Sequence, residues 1–180
     1  MRLLLDADAF LCARRLSFLD LLTETLAEPL ILTEYIARHE LSTIAATVAG
    51  LQSVGKLRVE AVRAGTPAYN LLRALRRRGV HKGESEAIAW ASGVSSGQGP
   101  CFVSLDAGAR SAAQAEGVES VDLLDAAVLC VREGLATKDE VRRRLEVWED
   151  RRQQFGRPPD FTTFEATFAL REGRIAQRRR

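Results

Sequence analysis

Two short apolar runs, each cut off by an aspartate, constrain this chain more than any other feature. Leu3-Leu4-Leu5 stops at Asp6, and Cys101-Phe102-Val103-Ser104-Leu105 stops at Asp106. A strand-length run with little polar alternation is what a strand buried on both faces requires, and an abrupt acid marks its exit into a loop. Segments of helical spacing separate these runs. Phe18, Leu19, Leu21, Leu22 and Leu26 recur at helical intervals until Pro29 stops them, and Leu30-Ile31-Leu32 reads as a second short strand. Thr33 is placed to cap a long helix to about Val54, with Ile36, Leu41, Ile44 and Val48 on its apolar face and Gly55 closing it.

Lys56 to Val62 alternates Leu57, Val59 and Ala61 with polar neighbours, which predicts a third strand. Pro67 opens a helix through Leu71, Leu72 and Leu75 that closes at Gly79, and another helix follows Gly83 with Ala87, Ile88 and Ala91 inward. A helix over 107–116, a strand near Ser120-Val121 and a helix from Leu123 to about Arg132 complete the alternation. Strands alternating with helices predict an α/β fold whose parallel sheet is covered on both faces.

Beyond Gly134 the pattern changes. Thr137 with Glu140 is a capping-box signature opening a charged helix to about Gln153; Gly156-Arg157-Pro158-Pro159 breaks the chain, and Thr162 with Glu165 opens a last helix. The expected organisation is one domain over 1–135 and a C-terminal helical extension over 136–180. At 180 residues, 46% hydrophobic and 28% charged, the chain can bury one real core and is neither disordered nor fibrous in composition. No apolar stretch approaches the roughly 20 residues a bilayer needs, so no membrane span is expected. Asp6 and Asp8 interrupt the apolar start, which argues against an export signal. Cys12, Cys101 and Cys130 lack metal-ligand spacing and read as buried reduced thiols, and the expected location is cytoplasmic.

The net charge of +2 conceals an asymmetry: residues 1–140 hold 15 Lys/Arg against 18 Asp/Glu, and residues 141–180 hold 11 against 6. An acidic body can hold cations while a basic tail attracts polyanions; solvated helix faces and the Arg178-Arg179-Arg180 end give the same sums.

The acids fall where such a fold would collect them. Asp6 and Asp106 follow strands directly, and ligands of open parallel sheets bind beyond the carboxyl ends of strands. Glu84 and Glu86 begin a helix after Gly83. Glu40, among Ile36, Leu41 and Ile44, lies near an apolar face, where a carboxylate needs a partner. Magnesium or manganese would be that partner, since both prefer hard oxygen ligands, and clustered carboxylates with such ions serve phosphodiester chemistry without a nucleophilic side chain. Each acid also has a plain structural reading. Asp106 caps the following helix, Glu84 and Glu86 suit a first helical turn, Glu40 pairs with Arg38 or another arginine, and Asp8 is a loop or capping residue.

Leu3-Leu4-Leu5-Asp6, the block Gly83-Glu84-Ser85-Glu86-Ala87-Ile88-Ala89-Trp90-Ala91, and Phe102-Val103-Ser104-Leu105-Asp106 followed by Ala109-Arg110 together resemble the PIN-domain family over about residues 1–135. The resemblance implies a three-layer α/β/α sandwich and Mg- or Mn-dependent ribonuclease activity. Many bacterial members are VapC-type toxins of toxin–antitoxin pairs, often homodimeric and silenced by a cognate antitoxin. By position, Asp6 matches the first metal-binding acid, Glu40 the helical glutamate (with Glu34 as competitor), Glu86 the third with Glu84 as its neighbour, and Asp106 the last. Ser104 matches the hydroxyl residue two before it. The chain departs from the family at Asp8, where a hydroxyl residue or asparagine is usual, and at Leu105-Asp106, where paired aspartates are frequent.

Arg73, Arg76, Arg77, Arg78, His81 and Lys82 lead into the acidic block, and with Arg110 they are the expected contacts to RNA phosphates; a solvated helix face is the plain alternative. Arg142, Arg143 and Arg144, interleaved with acids, read as an exposed salt-bridged helix. Two other functions compete. A PIN-like module without catalysis would bind protein or RNA. A haloacid-dehalogenase-type phosphatase is suggested by Leu3-Leu4-Leu5-Asp6-Ala7-Asp8 but lacks a later Gly-Asp-x-x-x-Asp block.

Overall fold

Leu3–Leu5 (β1) is fully buried because it occupies the centre of a five-stranded sheet. Its neighbours are Leu30–Thr33 (β2) on one side and Cys101–Val103 (β4) on the other; Leu57–Glu60 (β3) and Ser120–Val121 (β5) form the edges, giving the order β3-β2-β1-β4-β5. Every pairing is parallel, with Leu4 opposite both Ile31 and Phe102. This computed structural model describes residues 1–94, 99–150 and 152–178. Helices flank the sheet in an α/β/α sandwich: Ala7–Arg15 (α1), Phe18–Thr25 (α2), Ala45–Ser53 (α3), Pro67–Arg77 (α4), Lys82–Gly93 (α5), Ala107–Ala115 (α6), Leu123–Arg132 (α7), Lys138–Leu145 (α8) and Phe164–Arg178 (α9). Among the described residues no helix is long and apolar enough to cross a membrane.

The strand order places the switch point between β1 and β4, where the chain stops adding strands on one side and begins on the other. The crevice outside the strands' carboxyl ends opens there. Asp6 and Asp106 stand just beyond those two strands.

Several boundaries differ from the sequence expectation, each for a local reason. Asp6 is followed by a helix rather than a loop, because its carboxylate accepts the Ala9 amide and caps α1. The helix expected from Thr33 to Val54 is broken. Thr33 ends β2, Ile36–Glu40 forms a single wide π-type turn, Ser42–Ile44 a tight 3₁₀ turn, and only then does α3 begin. The Ser42 hydroxyl donates to the His39 carbonyl, an alternative to regular helix pairing. The strand expected over 101–105 ends at Val103, where the Ser104 hydroxyl instead accepts the Asp106 amide. The last helix is capped by Thr163, which accepts from the Ala166 amide, rather than by Thr162.

The Thr137–Glu140 capping box forms as expected, but α8 gives way to a 3₁₀ segment at Glu146–Glu149. Trp148, Phe161, Phe164 and Phe168 of the C-terminal extension are buried in one hydrophobic cluster with β1, β2 and β4. Gly156 adopts φ +70 and sits so close to Cys12 of α1 that a side chain there would collide with the thiol. The Phe155 carbonyl accepts from Trp148 Nε1 at 3.2 Å and faces Cys12 Sγ at 3.8 Å. Arg179 and Arg180 lie outside the described residues.

Candidate functional site

A cavity of about 800 Å³ opens at the carboxyl ends of β1 and β4, and Asp6, Asp8, Glu40, Glu84 and Asp106 all line it, with Arg78 and His81 at its wall. Each acid arrives by a different piece of local chemistry. Asp6 extends the sheet, its amide donating to the Val103 carbonyl at 3.0 Å while its Oδ1 accepts from Ala9 at 2.6 Å. Asp106 repeats the device one strand over, accepting from the Ala109 amide at 2.9 Å. Glycine at 108 matters because a Cβ there would lie 2.9 Å from Asp106 Oδ1. Asp8 occupies the first turn of α1 and Glu84 that of α5, where the positive end of the helix dipole favours an acid.

Glu40 depends on an absence of side chain. Its carboxylate lies over Gly83, where a Cβ would meet Oε1 at 2.5 Å and Oε2 at 2.7 Å. The wide turn at Ile36–Glu40 delivers it there; single π-type turns recur at functional sites because they displace one side chain from helical register. Glu34, the other candidate for the helical acid, pairs with Arg38 at 2.8 Å and does not line the cavity.

Glu86 has a different employment. It is 8% exposed, is not among the residues lining the cavity, and accepts the Tyr35 amide at 2.7 Å. That bond anchors the start of the turn that carries Glu40. Ser104, fully buried, holds the Asp106 amide, and Arg110 donates to the Ser104 carbonyl at 2.7 Å. Arg110, expected at RNA, thus fixes the end of β4. Among the other expected RNA contacts, Arg78 lines the cavity and pairs with Glu116 at 2.6 Å, while Arg76, Arg77 and Lys82 are exposed and are not among the residues lining it.

The electrostatics are those of acids short of cations. Burial pushes the Asp6 carboxyl up to about 7, against hydrogen bonds from Ser104 and the Ala9 amide, with Asp8 and Glu84 adding repulsion. Burial also raises Glu40, where His81 and the Gly83 amide pull the other way, and Glu84, where Asp106 adds to the rise. The basic side chain beside Glu40 is His81, whose Nδ1 lies 3.2 Å from Oε1. That contact lies within ion-pair range but is not aligned as a hydrogen bond, and Oε1 is buried without a hydrogen-bond partner.

These donors suit a hard divalent cation: all are carboxylate oxygens, one is buried and unpartnered, and Asp6, Glu40 and Glu84 are raised chiefly by burial and further by neighbouring carboxylates. They face one cavity without closing on a point. Among the described residues no three His, Cys, Asp or Glu side chains are close enough together to hold a metal ion as they stand. No protein-family model, curated protein or solved structure matches this chain.

The Gly83 cradle, and the place of His81 beside Glu40 rather than at a phosphate, are the site features that residue type alone did not assign. A glycine directly before an acidic block was the available signal, and its purpose is clear only once Glu40 is seen to lie on it.

Proposed function

We propose that this protein is a magnesium- or manganese-dependent endoribonuclease of the PIN type, acting in the cytoplasm as a homodimeric toxin held in check by an antitoxin protein. The observation that carries the enzymatic reading is the shared cavity at the switch point, faced by acids from the ends of β1 and β4, the turn after β2 and the start of α5. Asp6, Glu40, Glu84 and Asp106 would hold the cation, with Asp8 beside them and Glu86 supporting the turn that presents Glu40. When bound, such an ion supplies Lewis-acid stabilisation of a phosphodiester and a bound water of lowered pKa.

The chain's own residues set up that site. Asp6 keeps part of its proton near neutral pH when no cation faces it, so cation binding and ionisation of Asp6 are linked. Ser104, through its hydrogen bonds, favours the ionised form of Asp6 and fixes the Asp106 backbone. Arg78 on the wall, with the exposed Arg76, Arg77 and Lys82 next to cavity-lining residues in the chain, would give a polyanion cationic contacts that position it without reading sequence.

The unclosed set of acids favours one alternative: a PIN-like module that binds RNA or protein without cutting. Incubation of the full chain with single-stranded RNA, with and without Mn²⁺, separates the two. Cleavage by wild type that EDTA abolishes, and that Asp6→Asn and Asp106→Asn each lose, is the expected result. RNA bound but intact under every metal condition supports the module instead.

A further inference from the structure

The turn that delivers Glu40 also presents an aromatic pair. Tyr35 and His39 lie one helical step apart, their ring centroids 4.6 Å apart and tilted by 39°. Two cations approach the Tyr35 ring from neighbouring elements: the Arg76 guanidinium from α4 and the Lys82 ammonium from the start of α5, each 6.0 Å from the centroid. Tyr35 is half-buried, whereas His39, Arg76 and Lys82 are exposed. Its backbone is fixed by the Glu86 carboxylate, which accepts the amide at 2.7 Å. This group adjoins the acid cavity along the chain, since Lys82 sits between His81, on the cavity wall, and Gly83, under the Glu40 carboxylate.

We infer that Tyr35, with Arg76 and Lys82, forms a stacking platform for an unpaired base of a single-stranded RNA whose phosphate enters the adjoining acid cavity. The inference rests on the ribonuclease reading and deepens it by naming the residues that would hold a base beside the cavity. A ring with cations loosely held over it suits single strands: a base of any identity takes the place of the cations on the ring as they turn to the phosphates on either side. At 6.0 Å both cations stand at the outer limit of contact with the ring, so they can turn toward phosphate at little cost. A duplex, whose bases are already stacked, cannot use the ring. The platform therefore selects for single strands before any chemistry occurs.

The test is binding in EDTA, where no metal-dependent cleavage takes place. The full chain is titrated with a single-stranded RNA carrying one 2-aminopurine, read by anisotropy for affinity and by 2-aminopurine quenching for stacking. Wild type and Tyr35→Phe are expected to quench. Tyr35→Leu, which keeps apolar bulk and so guards the fold, is expected to lose quenching and bind about tenfold more weakly. Arg76→Gln and Lys82→Gln are expected to weaken binding and flatten its salt dependence while quenching persists. Unchanged affinity and quenching in Tyr35→Leu, or equal binding of the duplex form, would overturn the platform. Metal-dependent cleavage with an unchanged Tyr35→Leu removes the platform alone. Quenching that needs the ring, in a protein that never cleaves, keeps the platform and removes the ribonuclease.

Discussion

Two clusters of acids among the described residues differ in whether a guanidinium stands among them. Asp122, Asp125 and Asp160 gather around Arg171, which is 6% exposed and lies 2.8, 2.9 and 2.6 Å from them. Burial raises Asp125, as does Asp122, but Arg171 opposes both; at Asp160 the hydrogen bonds from Arg171 and Arg174 outweigh burial and lower the carboxyl. The cluster joins α9 to the start of α7, and its chemistry is finished within the chain. At the switch point, Asp6, Glu40, Glu84 and Asp106 face one cavity, and the basic residues of its lining are a histidine beside Glu40 and an arginine already paired with Glu116. Carboxylates are structural where a guanidinium is built in among them; at the switch point no such group stands among the acids, and a cation from solution is what the proposed function would put there.

Removing the built-in cation should have the largest effect. Arg171→Met leaves Asp122 and Asp125 around a neutral side chain, while Asp160 keeps Arg174, and breaking a buried pair in this way costs about 3–5 kcal/mol; urea denaturation measures it. A variant as stable as wild type would show that Asp122 and Asp125 find their neutralisation elsewhere, and the contrast between the two clusters would collapse.

The opposite sign is expected at the switch point. Asp6 titrates near 3.8 when unfolded and about 7 when folded, so between those values the folded state binds more protons and stability falls as pH rises. Above about 7 the penalty is complete, with an upper limit on the order of 4 kcal/mol. Asp6→Asn, which keeps a good helix cap, should therefore raise Tm relative to wild type, more at pH 8 than at pH 5. A constant difference across that range would contradict the account of Asp6.

Gly83→Ala sharpens the comparison more gently. The added methyl must push the Glu40 carboxylate off its cradle, so Mn²⁺ affinity should fall about tenfold while urea stability changes little. Calorimetric titration and the denaturation curve together check both halves.

Much of this was legible in residue order, and the failures are instructive. Leu3–Leu5 and Cys101–Val103 announced themselves because a strand buried on both faces tolerates no polar alternation, and Asp6 and Asp106 followed because a strand end is a discrete event in the sequence. Glu84 and Glu86 could not be sorted that way. Two residues apart on a helix, they point about 200° from each other, and which one meets the cavity depends on how α5 is rolled against the sheet. The structure turns Glu84 inward to the cavity and gives Glu86 to the Tyr35 amide. The broken helix over 36–53 was also invisible, because apolar spacing at 36, 41, 44 and 48 is satisfied equally by a continuous helix and by a π turn followed by a 3₁₀ turn. The binding partner of Arg171 was beyond reach for another reason: its acids come from residues as far as 49 positions away, and only packing of α9 on α7 brings them together.

Mn²⁺ binding to the EDTA-stripped chain at pH 7.5 tests the central claim most directly. The account predicts saturable binding with proton release and a rise in Tm, all lost in Asp6→Asn and Asp106→Asn and all retained in a variant of an exposed acid such as Glu34→Gln. Binding that survives both aspartate substitutions, or no binding by the wild-type chain, would contradict it.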